Sequence, residues 1–287
     1  MIRSFLFVPA DSQRKLEKSL SCEADALIFD LEDAVAIDRK QVGRNCLSCF
    51  LQGIGGLSHP RIYVRINDLD SGSALEDIKA VMPFAPEGFV LPKCRNVKDV
   101  ERLSHYLDAF ETMHGRIPGQ SRIIAIATES AEAIFGLSSY AQTPSRLSGL
   151  MWGAEDLGAD LGTGDARPQG QFTAPFNLAR SLCVMAAASA GVQAIDAVLP
   201  DLENLGALND ECLAAFRDGF TAKAAIHPGQ LATINKALSY SDADLEWAKQ
   251  VVAAFAAGEG VAQLGGRMLD RPHLRRAKSI LAQSERH

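Results

Sequence analysis

The chain has no long hydrophobic run and no excess of basic residues. No segment approaches the roughly 18 consecutive apolar residues of a membrane span, and the apolar start lasts only about five residues before Asp11, too short for a signal peptide core. The formal net charge of −6 argues against a nucleic-acid partner, which usually needs a basic face. Local Arg and Lys side chains can still bind an anionic substrate. We therefore expect a cytoplasmic protein with neither a membrane nor a nucleic-acid partner.

Several familiar motifs are also missing. The six cysteines are spread over all 287 residues and do not resemble a disulfide framework. Cys46 and Cys49 have the Cys-x-x-Cys spacing, but no second pair follows to complete a zinc site, so we expect both on a helix as half-buried small residues. The glycine-rich segment 162–170 lacks the Gly-Lys-Ser/Thr ending of a phosphate loop, and no Ser or Cys nucleophile elbow is present.

What the chain does contain is a repeated alternation of short apolar runs and helical patterns. The runs are residues 4–8, 26–29, 62–66, 88–91, 122–127, 149–152, 194–199 and 222–226. Eight alternations at this length predict an α/β fold, a closed (β/α)₈ TIM barrel. An open doubly wound sheet is the alternative, but no Gly-x-Gly-x-x-Gly turn follows the first run.

We assign residues 1–240 to the barrel and residues 241–287 to a C-terminal helical extension and lid. Helical patterns cover residues 231–238, 244–257 and 273–283, and a glycine-rich hinge covers residues 258–266. The glycine-rich segment 162–170 is interpreted as a mobile loop over the barrel mouth.

In a barrel, the active site lies at the C-terminal ends of the strands, and carboxylates collect at several of these ends. Glu129 and Asp156 follow the fifth and sixth runs, so both can point into one site from neighbouring strands. Two oxygen ligands, with water and substrate in the other positions, are typical of Mg²⁺. The alternative is that each residue caps the helix that follows it.

The other strand ends leave alternatives open. Glu32 and Asp33 suit hydrogen bonds to metal-bound waters or, equally, capping of a helix near residues 39–51. Arg65 suits a bidentate contact with a substrate carboxylate or carbonyl, or a structural pair with one of the acids. Lys93 offers positive charge to an anionic substrate, and a Schiff base is the less favoured role. His227 before Pro228 is interpreted as a loop anchor rather than a general base.

Eight segments in order make the chain resemble the citrate lyase beta-subunit family, which includes malyl-CoA and citramalyl-CoA lyase-like enzymes. They are RSFLFVP (3–9), FDLEDAV (29–35), VRIN (64–67), VLPK (90–93), ATESA (127–131), GAEDL (153–157), AIHP (225–228) and MLDRP (268–272). Two departures stand out: residues 265–267 read Gly-Gly-Arg before the Met-containing motif, where the family often has Asp-Gly. A Thr-Glu-Ser order also follows the fifth run, where Glu-Thr is more usual.

The resemblance implies a (β/α)₈ barrel assembled as a homotrimer or a pair of trimers. It implies Mg²⁺ bound by Glu129 and Asp156, with Glu32 and Asp33 behind the bound waters and Arg65 on the substrate. It also implies that Asp270, in the tail, is the acid/base group of a neighbouring subunit's site. We further count Lys93 and Glu129 among the substrate-binding residues.

The activity implied is that of a Mg²⁺-dependent carbon–carbon lyase. Such an enzyme cleaves a short 3-hydroxy-acyl-CoA, such as citramalyl-CoA or malyl-CoA, to acetyl-CoA and pyruvate or glyoxylate, or it catalyses the reverse condensation. Coenzyme A then enters as part of the substrate. The alternatives are a citrate lyase beta subunit acting on citryl-acyl carrier protein, a malate-synthase-like thioesterase, and a non-catalytic binding barrel.

Overall fold

Eight parallel strands form a closed barrel in sequence order, with the first strand paired to the eighth. The computed structural model describes residues 2–142, 144–256 and 261–284. The strands are β1 (Ser4–Pro9), β2 (Ala26–Asp30), β3 (Arg61–Arg65), β4 (Gly88–Leu91), β5 (Arg122–Ile126), β6 (Leu147–Met151), β7 (Gln193–Asp196) and β8 (Ala222–Ala225). The predicted TIM barrel is therefore confirmed, and all eight runs contain a strand.

Helices connect the strands in the order that a (β/α)₈ barrel requires. They are α1 (Gln13–Ser19), α2 (Lys40–Gly53), α3 (Ala74–Val81), α4 (Val97–Met113), α5 (Ala131–Gly136), α6 (Glu155–Leu161), α7 (Ala174–Ala190), α8 (Leu205–Asp218) and α9 (Leu231–Ala237). Cys46 and Cys49 lie on α2, the first half-buried and the second exposed. No helix within the described ranges is long and apolar enough to cross a membrane.

Inward-facing side chains from alternate strand positions fill the barrel. Bulky residues such as Phe5 and Tyr63, whose rings meet edge to face at 5.8 Å, share this core with small ones such as Ala222 and Ala224. The predicted end of the seventh strand at residue 199 is wrong, because β7 ends at Asp196. Beyond β7, Ala197 and Leu199 are buried and Val198 is half-buried, and the carbonyl of Leu199 accepts from Gln230 Nε2 at 2.9 Å.

A buried ion pair joins α4 to the start of β6. Arg146 Nη2 lies 2.6 Å from Glu111 Oε2, and the backbone N–H groups of Gly119 and Ser121 also donate to this carboxylate. Burial alone would raise the pKa of Glu111, but the guanidinium and these donors lower it to about 2. Because this pKa is depressed, the ionised carboxylate stabilises the fold above about pH 4.5, and that contribution is lost as the pH falls towards 2.

We expect Glu111→Gln to lower the free energy of unfolding by about 3 kcal/mol at pH 7, because the buried Arg146 loses its buried partner charge and keeps the half-exposed Asp108. The deficit should shrink between pH 5 and pH 3, because the Glu111 carboxylate of the unfolded wild type takes up a proton there while that of the folded wild type stays ionised. Urea unfolding at three pH values measures this, with Glu101→Gln on the exposed face of α4 as control. An equal deficit at pH 7 and pH 3 would contradict the assignment.

The C-terminal unit, from Leu238 onward, contains α10 (Asp242–Ala254), a two-stranded antiparallel hairpin and α11 (Arg271–Ser284). The hairpin strands are β9 (Ala262–Leu264) and β10 (Arg267–Leu269). The core of the C-terminal unit consists of Ala248, Val251, Leu269, Ala277 and Ile280. The predicted hinge at residues 258–266 lies partly outside the described residues, and its described part is a strand followed by a tight turn. Gly265 and Gly266 form that turn with φ values of 56° and 77°, which favour glycine.

Candidate metal and substrate site

A cavity of about 170 Å³ opens at the C-terminal ends of the strands. Its charged lining consists of Asp33, Arg65, Glu129, Glu155 and Asp156, and its apolar walls include Phe7, Ile126, Met151 and Trp152. The two residues predicted as metal ligands thus face one cavity, together with the predicted substrate arginine. This is the position where barrel enzymes carry out their chemistry.

Glu129 stands between β5 and α5 and is 6% exposed. The N-cap of α5 is Ser130, whose hydroxyl accepts from the backbone N–H of Ala133 at 3.2 Å. This removes the alternative in which Glu129 caps that helix. Asp156 does lie in the first turn of α6, so it favours the helix N-terminus and lines the cavity at the same time.

The surroundings of Glu129 keep its carboxylate in place but supply little positive charge. Its Oε2 atom accepts from the backbone N–H of Lys93. A Cβ on Gly153 would stand 3.0 Å from Glu129 Cγ, so a glycine at that position makes room for the side chain. Burial raises the pKa of Glu129 to about 8, and the neighbouring Asp156 and Glu32 carboxylates act in the same direction.

Arg65 forms a two-point ion pair with Asp30 beside the cavity. Its Nε and Nη2 atoms donate to the two oxygens of Asp30 at 2.8 and 2.6 Å, and its Nη1 atom lies 3.0 Å from Glu32 Oε2. The guanidinium also lies over the Phe7 ring, 4.8 Å from its centroid. Both interpretations of Arg65 therefore apply, since it pairs with acids and also lines the cavity. Burial would lower the pKa of Arg65, but Asp30 and Glu32 raise it.

Glu32 and Asp33 both lie near the Nη1 atom of Arg65, at 3.0 and 3.8 Å. Glu32 is buried, and its Oε1 atom accepts from Lys93 Nζ at 2.7 Å, while Asp33 is half exposed and lines the cavity. Burial raises the pKa of Glu32, against the opposing effect of Arg65 and Lys93. The N-cap residue of α2 is Arg39, so neither acid caps that helix. The predicted substrate contact of Lys93 remains a prediction, and its ammonium group bonds to Glu32.

Asp30 and Phe7 are site residues that the sequence reasoning did not select. The β2–β3 register places Asp30 opposite Arg65, each as the last residue of its strand. A signal was available, because a carboxylate and a guanidinium end two consecutive strands. Phe7 gave no such signal, since it looks like any other apolar residue of a first strand.

Two candidates remain, His227 after β8 and Asp270 in the C-terminal unit. His227 is exposed, and its Nδ1 atom accepts from the backbone N–H of Gly229 at 3.1 Å in a capping box with Gln230, which agrees with the loop-anchor interpretation. Asp270 follows β10 in the C-terminal unit, where its Oδ1 atom lies 2.6 Å from His273 Nδ1. This contact lowers the pKa of the exposed Asp270 carboxyl.

The candidate ligand set is small. Within residues 2–142, 144–256 and 261–284, no group of three or more His, Cys, Asp or Glu side chains is arranged to hold a metal ion. Four carboxylates line the cavity, and the two predicted as ligands, Glu129 and Asp156, would leave further coordination positions to water and substrate.

A larger cavity of about 930 Å³ adjoins the site and shares Ala154 and Glu155 with it. Its lining includes most of the glycine-rich segment 162–170. Arg167 in that segment donates to the carbonyl of Val198 at 2.9 Å and lies over the Phe172 ring at 4.3 Å. The segment is thus anchored by Arg167.

Comparison with known proteins agrees with this geometry. The family model described as HpcH/HpaI aldolase/citrate lyase matches residues 3–228. The chain belongs to this family. It is therefore a carbon–carbon lyase of the aldolase/citrate lyase type. A second model, described as a carbon–carbon bond lyase of the TIM-barrel fold, matches residues 179–287.

Relatives with two different names are about equally similar to this HpcH/HpaI family member. A citrate lyase subunit beta from Haemophilus influenzae is 32% identical, covering 99% of this chain and 97% of the relative. A (3S)-malyl-CoA thioesterase from Cereibacter sphaeroides is 31% identical, covering 99% and 94%. Among solved structures, CitE from Mycobacterium tuberculosis in complex with magnesium, acetoacetate and coenzyme A has a TM-score of 0.79 and 30% identity, covering 99% and 98%.

Proposed function

We propose that this protein is a Mg²⁺-dependent lyase that cleaves or forms a short 3-hydroxy-acyl-CoA of the malyl or citramalyl type. The observation that carries the proposal is the pair Glu129 and Asp156, which follow the neighbouring strands β5 and β6 and line one cavity with Arg65. The relatives and the magnesium-bound neighbour support it.

The residues fit a divalent cation. Glu129 is buried, accepts from the backbone N–H of Lys93 and has a pKa raised to about 8. In this setting a bound cation would offset the cost of burying the negative charge. Gly153 leaves the space that the carboxylate needs. A cavity of about 170 Å³ suits a short keto acid, so the coenzyme A part of the substrate would extend beyond it.

When bound, Mg²⁺ supplies Lewis-acid polarisation of the keto-acid oxygens. In the cleavage direction, Asp270 of a neighbouring copy in a homotrimer takes the proton of the substrate hydroxyl. The bond between the hydroxyl-bearing carbon and the α-carbon of the thioester then breaks, and its electron pair moves towards the thioester carbonyl. Arg65 donates a hydrogen bond to that oxygen as it gains negative charge. The proton held by Asp270 then passes to the α-carbon, which completes acetyl-CoA and restores the Asp270 carboxylate.

The decisive experiment supplies malyl-CoA and citramalyl-CoA to the purified protein with Mg²⁺. We expect release of acetyl-CoA together with glyoxylate or pyruvate, and near-complete loss of turnover in Asp270→Asn, because an amide cannot accept the hydroxyl proton. Asp242→Asn, on the exposed start of α10, is the matched control. Unchanged turnover in Asp270→Asn would remove Asp270 from the mechanism.

Two neighbouring activities are the alternatives, and the names of the relatives support each. A citrate lyase beta subunit would act on citryl-acyl carrier protein, and the protein would then copurify with a transferase subunit and a carrier. A thioesterase would release free coenzyme A from malyl-CoA. Product analysis separates all three, since only the lyase reaction on free CoA esters yields acetyl-CoA with intact thioester.

A further inference from the structure

The end of β4 carries an irregularity that brings a backbone N–H group into the candidate site. Leu91 pairs with Ala125, so an unbroken ladder would direct the N–H of residue 93 to the carbonyl of Ile126. Cys94 donates to that carbonyl instead, at 3.3 Å. One extra residue therefore stands on this side of the ladder, which is a β-bulge of the kind found beside active sites.

The extra residue is Lys93, whose backbone has a φ of 51°. Side chains with a Cβ rarely adopt this left-handed conformation, and it persists only where the surroundings hold it in place. The consequence is visible in the contacts of Lys93. Its N–H, released from the ladder, donates to Glu129 Oε2.

The side chain of Lys93 acts on a second carboxylate of the site. Its Nζ atom donates to Glu32 Oε1 at 2.7 Å and lies 3.7 Å from Asp33 Oδ1. One residue thus contacts a proposed metal ligand through its main chain and the proposed water-binding acids through its ammonium group.

We infer that Lys93 is a positioning residue that orients Glu129 through its N–H and Glu32 through its ammonium group, rather than a group that binds substrate. This inference rests on the proposed function, because it concerns the carboxylates that would hold Mg²⁺. The two contacts can be separated by mutation. Glycine retains the left-handed backbone without the ammonium group, whereas β-branched valine opposes that backbone.

The first test is titration of Mg²⁺ alone into the wild type, Lys93→Gly and Lys93→Val by calorimetry. Both variants lack the ammonium group, so the effect of charge cancels between them. We expect the Kd of the valine variant to be about 10- to 100-fold higher than that of the glycine variant, the usual effect of losing a residue that orients a metal ligand. Equal values would overturn this inference alone. A wild type that takes up no Mg²⁺ at millimolar concentration would overturn the proposed function and this inference with it.

Should the valine variant fail to fold, an ester in place of the backbone amide at residue 93 removes only the N–H donor and retains the side chain. We expect the same direction of change in Mg²⁺ affinity, and an unchanged Kd would count against the inference.

The ammonium contact is tested by steady-state kinetics of Lys93→Met and Lys93→Arg. A positioning role predicts that the methionine variant loses about tenfold in kcat with little change in KM, and that arginine restores part of the loss. A substrate-binding role predicts the opposite, a raised KM with kcat unchanged. A rise in KM alone would therefore assign Lys93 to substrate binding and overturn the positioning role.

Discussion

Glu129→Gln and Asp156→Asn should each abolish Mg²⁺ binding at millimolar concentration and lower kcat/KM by about 1,000-fold. Each substitution keeps the shape of the side chain and removes the negative charge that holds the cation, and a bound metal commonly contributes several kcal/mol to such reactions. Both residues line the cavity of about 170 Å³ at the strand ends. Calorimetry with Mg²⁺ and coupled assays for acetyl-CoA measure the two effects.

The matched control is Glu132→Gln, which removes one negative charge from the exposed face of α5, three residues after Glu129. It should leave both Mg²⁺ affinity and turnover within about twofold of wild type, since exposed charges interact weakly through water. Full Mg²⁺ binding by both site variants would remove the proposed metal site, and the lyase proposal would lose the observation that carries it.

Asp196→Asn should lower the free energy of unfolding by about 3–5 kcal/mol, the usual result of leaving buried charges unpaired. Asp196 ends β7 without solvent exposure and accepts from Trp152 Nε1 and Lys223 Nζ, each at 2.7 Å, and from Arg180. Burial would raise the pKa of Asp196, but Lys223 and Arg180 lower it, so the residue is ionised at neutral pH. Lys223 is itself fully buried and would keep its pair with Glu211, whose side chain is 17% exposed.

A control exists within the same network. Asp218 also pairs with Arg180, but its side chain is 54% exposed, so Asp218→Asn should cost less than about 1 kcal/mol. Urea unfolding of both variants at pH 7 makes the comparison. If the two variants were equally stable, the network at the end of β7 would not contribute to stability in the way its burial indicates.

The barrel could be predicted because each strand corresponds to a local pattern in the sequence. An apolar run such as residues 88–91 coincides with its strand, Gly88–Leu91. Glu129 and Asp156 could be selected for the same reason, since an acidic residue within a few positions of the end of an apolar run lies near the C-terminal face of the barrel. Their facing one cavity follows from the closed barrel.

What the sequence did not reveal depends on pairing between distant segments. The ion pair between Asp30 and Arg65 requires the register of β2 against β3. The contact of the Lys93 N–H with Glu129 requires the extra residue that follows the last β4–β5 pair. Neither feature leaves a local pattern. The hairpin of the C-terminal unit was also missed, because a three-residue strand such as Ala262–Leu264 is too short to show alternation.

The ion pair of Arg65 with Asp30 has a consequence for the energetics of the proposed reaction. Two hydrogen bonds to Asp30 fix the Arg65 guanidinium, so its N–H groups already have a set orientation before substrate binds. Charge that forms on a substrate oxygen then meets a donor that needs no reorientation, and the reorganisation energy that water would demand is absent from the activation barrier. The conformational entropy of the Arg65 side chain is lost once, during folding, and is not lost again in each catalytic cycle.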